Sequence, residues 1–103
     1  MAEVQIAAAP VPPGSVTAGA AFAVGRFNGF TASLEGAFTG TYQLQISLDP
    51  DAAPAAASWI NEGTALTAAG TVQCSKLAAW ARWNCTAYTS TPPGYHIAGL
   101  TRL

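Results

Sequence analysis

Charge is what this sequence has least of: four Lys and Arg and five Asp and Glu among 103 residues, roughly a third of what an ordinary soluble domain carries. The formal net charge is −1, and Arg26, Lys76, Arg82 and Arg102 are scattered along the chain. Nucleic acid and anionic membranes are recognised by clustered Lys and Arg, so neither is an expected partner. No run approaches the roughly 18 uninterrupted apolar residues of a membrane span. The stretch Met1-Ala2-Glu3-Val4 lacks the basic segment and apolar run of a signal peptide, so synthesis in a reducing cytoplasm is the expectation.

Histidine and cysteine are nearly as scarce. His96 stands alone, and Cys74 and Cys85 are too few and too far apart for a paired-Cys zinc pattern, so no metal site and no cofactor is expected. Cytosolic disulfides are rare, which favours two buried free thiols acting as small hydrophobes. Asp49, Asp51 and Glu62 match no calcium-loop spacing and read as solvated turn carboxylates. Asn84-Cys85-Thr86 fits the glycosylation acceptor pattern but, without a secretory signal, is idle. With a lone His, no Ser nucleophile elbow and no phosphate-binding Gly loop, the chain is not expected to be an enzyme.

Apolar residues make up half the chain, many of them Ala. Folding at this length buries roughly two-thirds of the extended surface, so a single domain with one modest core is expected. Lys, Glu and Asp are depleted at the centres of protein interfaces. A surface nearly free of them suits assembly better than chemistry.

The strongest local pattern runs from Thr41 to Asp49, where Tyr42, Leu44, Ile46 and Leu48 alternate with polar residues, the mark of a half-buried strand. Asp49-Pro50-Asp51 and the Ala-Pro-Ala at 53–55 end it. Trp59-Ile60 opens a short run stopped by Asn61-Glu62-Gly63, and residues 70–74 form another strand with Ser75-Lys76 as a tight turn after it. Residues 76–83 contain many helix formers, yet period two fits a longer stretch. It sets Leu77, Ala79, Ala81, Trp83, Cys85 and Ala87 on one face against Lys76, Ala78, Trp80, Arg82, Asn84, Thr86 and Tyr88 on the other. The strand reading is adopted. A hairpin about Ser75-Lys76 then holds the two cysteines some eight residues apart along a strand, beyond disulfide reach.

Residues 3–7, 20–25 and 32–38 read as further strands, the last anchored by Leu34 and Phe38, and residues 95–100 as the final one. Proline holds Ala9-Pro10-Val11-Pro12-Pro13-Gly14 in an extended, polyproline-like path. Many short strands with Gly and Pro in the breaks predict an all-β fold, an antiparallel β-sandwich of jelly-roll or Ig-like type or a small barrel. Residues 1–14 form an extended N-terminal arm and residues 15–103 the β-sandwich domain.

The landmarks between residues 38 and 100 resemble a group of small bacteriophage virion proteins. They are a strand Phe38-Thr-Gly-Thr-Tyr-Gln-Leu-Gln-Ile-Ser-Leu-Asp49 followed by a Trp, then Leu66-Thr67-Ala68. A strand Trp80-Ala-Arg-Trp-Asn-Cys-Thr-Ala-Tyr-Thr-Ser90, Pro92-Pro93 and a closing Ala98-Gly99-Leu100 complete them. The Ala/Pro-rich stretch 50–58 departs from the Gly-centred turn of that pattern. The resemblance implies a capsid decoration, or cement, protein on the surface of the virion head. Such a protein binds the major capsid protein and copies of itself, often as trimers, and stabilises the shell by bridging subunits. The alternative is a receptor- or glycan-binding module of a tail fibre or baseplate.

Trp80, Arg82 and Tyr88 on one strand face are the expected interface residues, since Trp, Tyr and Arg dominate binding hot spots and Arg82 can stack beside Trp80. The competing expectation is that a second sheet covers that face and makes Trp80 and Tyr88 core. Pro10, Val11, Pro12 and Pro13 are the candidate contact residues of the arm, because a polyproline segment loses little entropy on ordering.

Overall fold

The computed structural model describes residues 4–7, 12–51, 54–55 and 58–101. Eight strands account for the regular structure: β1 (Val4–Ala7), β2 (Phe22–Ala23), β3 (Phe27–Glu35), β4 (Thr39–Ser47), β5 (Trp59–Asn61), β6 (Gly70–Cys74), β7 (Trp80–Ser90) and β8 (Gly94–Thr101). They form two four-stranded sheets, sheet I in the order β1-β8-β3-β6 and sheet II in the order β2-β7-β4-β5. Every pairing is antiparallel. The all-β, two-sheet expectation holds, and the described residues contain no α-helix.

The chain passes from one sheet to the other at every connection except β4–β5. This overturns the expected hairpin about Ser75-Lys76: β6 pairs with β3 in sheet I, whereas β7 pairs with β4 and β2 in sheet II. Residues 75–79 therefore bridge two layers instead of turning within one. The thiols remain unpaired for a different reason from the one expected. Cys74 lies opposite Phe30 in one sheet and Cys85 opposite Tyr42 in the other, and both are buried and free.

The core fills the space between the sheets, about 10 Å in a face-to-face packing. Sheet I contributes Phe27, Phe30, Ala32, Leu34, Val72, Cys74 and Ile97; sheet II contributes Tyr42, Leu44, Ile46, Ala81, Trp83 and Cys85. Period-two alternation produces these inner faces directly in β4 and in the first half of β7. In β3 it does not, because a bulge at Asn28 puts Phe27 and Phe30 on the same side three residues apart. The strand thus begins at Phe27, five residues before the expected start at Ala32, and ends before Phe38. Within sheet I, β8 passes close beneath the Phe27 ring of neighbouring β3 at Gly99, where a Cβ would lie 2.6 Å from that ring. Gly63, at φ 71°, turns the chain after β5 with the Val72 side chain 2.7 Å from where its Cβ would stand.

Two further bulges interrupt β7, leaving Thr86 and Thr89 without partners opposite β4. Each extra residue reverses the side-chain phase. Tyr88 accordingly leaves the face of Trp80 and Arg82 and packs against the core, which corrects its expected outward placement.

Candidate functional site

The outward face of sheet II gathers most of the aromatic and amide side chains that the core does not use. Ladder register sets them in rows. Ala23, Trp80, Ser47 and Trp59 stand side by side across β2, β7, β4 and β5, followed two residues along by Arg82, Gln45 and Asn61, and then by Asn84 and Gln43. Ser47 has an indole on either side of it in this row and is wholly buried despite pointing away from the core.

Hydrogen bonds tie the rows together. Arg82 Nε donates to Gln45 Oε1 at 2.8 Å, and Gln45 Nε2 donates to Asn61 Oδ1 at 3.0 Å, so three strands are linked in line. Gln43 Nε2 donates to the Glu62 carbonyl at 3.0 Å. The Arg82 guanidinium lies over the Trp59 ring, 4.2 Å from its centroid. The expected neighbour was Trp80, two residues away on the same strand. The cross-strand indole takes the cation instead, since Trp59 is diagonal to Arg82 through Gln45 and Ser47. Burial holds the Arg82 guanidinium below its ordinary pKa, the direction expected of a cation removed from water. No carboxylate pairs with it among the described residues.

The other charged groups are treated differently. Glu62 is buried and receives Lys76 Nζ at 2.6 Å, which lowers its pKa against the opposing effect of burial. On the surface of sheet I, His96 Nδ1 meets the Glu35 carboxylate. Asp49 caps its own loop, accepting from Asp51 N at 3.0 Å and from the Ser58 hydroxyl at 3.2 Å. Asp49 and Asp51 thus share one turn while Glu62 is occupied elsewhere. Among the described residues no three His, Cys, Asp or Glu form a group able to hold a metal ion.

The outward face of sheet I is plainer. Thr31 stands between Gln73 and Ala98, Ser33 between Thr71 and His96, and Glu35 opposite Gly94. A shallow depression of about 430 Å³ lies at one end, lined by Asn28, Gly29, Thr31, Gln73, Ser75 and Ala98 among others. No charged group is among its lining residues.

Of the residues expected at an interface, Trp80 and Arg82 share the outward face of sheet II and are half-buried. Tyr88 does not join them. Pro10 and Val11 lie outside the described residues. Pro12 is buried, and the Pro13 carbonyl accepts the Tyr42 hydroxyl at 2.8 Å, so this end of the arm is fastened to the body of its own chain. Val4–Ala7 pairs with β8 as the edge strand expected of residues 3–7. Asn84 sits mid-strand beside Ala18, half-buried, a poor position for a glycan acceptor. The residues that sequence reasoning did not assign to the face are Trp59, Gln45 and Asn61. Only cross-strand register brings Trp59 and Asn61 to this face, whereas the polar half of the β4 alternation already marked Gln43 and Gln45 as outward. No family model, no curated protein and no solved structure matches this chain.

Proposed function

We propose that this protein is a non-enzymatic capsid decoration protein of a bacteriophage, built on a jelly roll and bound to the outside of the head. The jelly-roll reading is supported by nested pairing, β1 with β8, β2 with β7, β3 with β6 and β4 with β5, the pattern made by two Greek keys and common among viral capsid domains. The observation that carries the functional reading is the outward face of sheet I. Its rows of Thr31, Gln73 and Ala98 and of Ser33, Thr71 and His96 contain no Lys, Arg or Asp, and the carboxylate at its edge, Glu35, is met by His96. Such a surface packs against a neighbour without burying unpaired charge. Decoration predicts many copies per purified head in a regular array, visible in an electron cryomicroscopy map of the particle. A few copies confined to the tail would overturn it.

A second reading, a receptor- or glycan-binding module of a tail fibre or baseplate, is favoured by one observation. Trp59, Trp80, Arg82 and the amides of sheet II make an outward patch that a flat lateral contact does not need. Sugar binding by particles lacking heads, or by the isolated protein, separates this reading from decoration.

A further inference from the structure

We propose that the outward face of sheet II binds a carboxylated pyranose, with Arg82 gripping the carboxylate and Trp80 covering one face of the sugar ring. The inference rests on the glycan-binding reading and narrows it to one class of sugar.

Glu62 is matched to Lys76 and the Glu35 carboxylate meets His96 Nδ1, while half-buried Arg82 is given an amide oxygen and an indole. Those contacts fix the guanidinium without neutralising it. With Nε committed to Gln45, its four remaining N–H groups make no hydrogen bond to any described residue. A guanidinium so presented is the fork that takes a carboxylate in two parallel bonds.

Neighbouring side chains specify what carries the carboxylate. Trp59 already holds the guanidinium against one face, whereas Trp80 has no aromatic or cationic partner among the described residues. Trp80 and Arg82 are alternate residues of one strand, about 6.6 Å apart along it, the scale of a sugar ring and its exocyclic carboxylate. Asn61 has its amide N–H₂ uncommitted, and Asn84 makes no side-chain hydrogen bond to any described residue. A flat indole beside a row of amides matches a ring with an apolar face and a rim of hydroxyls. An acidic peptide would satisfy Arg82 but its Asp and Glu side chains bring no apolar ring face to cover the indole.

The test titrates the full chain with sialyllactose, digalacturonate, lactose and the methyl ester of sialyllactose, read by calorimetry. At least one carboxylated sugar is expected to bind tenfold or more tighter than its uncharged counterpart. Arg82→Gln is expected to erase that preference, Arg82→Lys to retain part of it, and Trp80→Ala to weaken binding of every sugar about tenfold. Thermal unfolding of each variant, run in parallel, must stay cooperative for the comparison to count, and Asn84→Ala provides a milder second variant expected to weaken binding severalfold. Equal affinity for charged and uncharged sugars would overturn the inference while leaving the glycan-binding reading standing. Failure to bind any sugar would remove both, and Arg82-dependent capture of a Glu-rich peptide in place of sugars would overturn the inference in favour of a peptide site.

Discussion

Outside sheet I, each ladder row sets small polar side chains beside one another, Thr31 with Gln73 and Ser33 with Thr71; outside sheet II, the equivalent rows hold Trp80, Trp59, Arg82, Gln45 and Asn61. The two inner faces differ far less, each being a close-packed set of aliphatic, aromatic and thiol groups. Alternation along a strand separates the two sides, so a face can change character without disturbing the core beneath it. Sheet I carries mostly short, uncharged polar groups and no aromatic stack, and suits broad lateral packing. Sheet II carries a cross-strand network that fixes its side chains in advance, which lowers the entropy lost when a ligand binds.

The sharpest way to break this comparison is to invert it along β7, where Trp83 points in and Trp80 out. Trp83 is fully buried, and Trp83→Ala is expected to cost about 3–5 kcal/mol in denaturant unfolding. A cost near that of a surface change would mean the two faces of β7 are wrongly divided. Trp80→Ala is expected to leave the fold intact and weaken sugar binding about tenfold, roughly 1.4 kcal/mol. If the variant instead fails to fold, Trp80 belongs to the core.

The two sheets are also tied together through Glu62, just after β5, and Lys76, just after β6. The folded-state pKa of Glu62 lies below its ordinary value of 4.5, so its stabilising contribution is present in full above that value. It is lost as the pH falls through the lowered one. Thermal melts of Glu62→Gln should therefore show lower stability than the natural protein at neutral pH, the gap closing as the solution is acidified. A constant gap would show that the ion pair contributes nothing.

Thr31→Lys with Gln73→Lys places two cations directly opposite one another on sheet I, with an expected loss of up to about 1 kcal/mol from like-charge repulsion. Head binding should fall sharply and sugar binding should not change; the reverse outcome would exchange the roles of the two faces. Ser33→Ala, in the middle of the same face, is expected to shift stability by less than about 0.5 kcal/mol.

Much of the strand content was legible because it rests on local alternation. Residues 70–74 and 59–61 and the interior of β4 stand where period two and the Pro and Gly breaks put them. The start of β3 was hidden by the bulge at Asn28, which spaces Phe27 and Phe30 like a helix turn, and the turning of Tyr88 toward the core by the unpaired Thr86. The candidate site was half legible. Trp80 and Arg82 follow from the phase of one strand, whereas the stacking of Arg82 on Trp59 requires knowing which strand lies beside which.

By itself the sequence determined that this chain is β-rich, sparsely charged and poor in catalytic side chains, because composition and period-two patterning act within a few residues of each position. Tertiary structure alone decided that β6 and β7 lie in opposite sheets, that the two thiols stay apart, and that Arg82 meets Trp59 with no counter-ion among the described residues. Those outcomes depend on the pairing of segments distant in the chain. Pairing is set by how the whole set of apolar faces can be buried at once, which no single stretch of residues encodes.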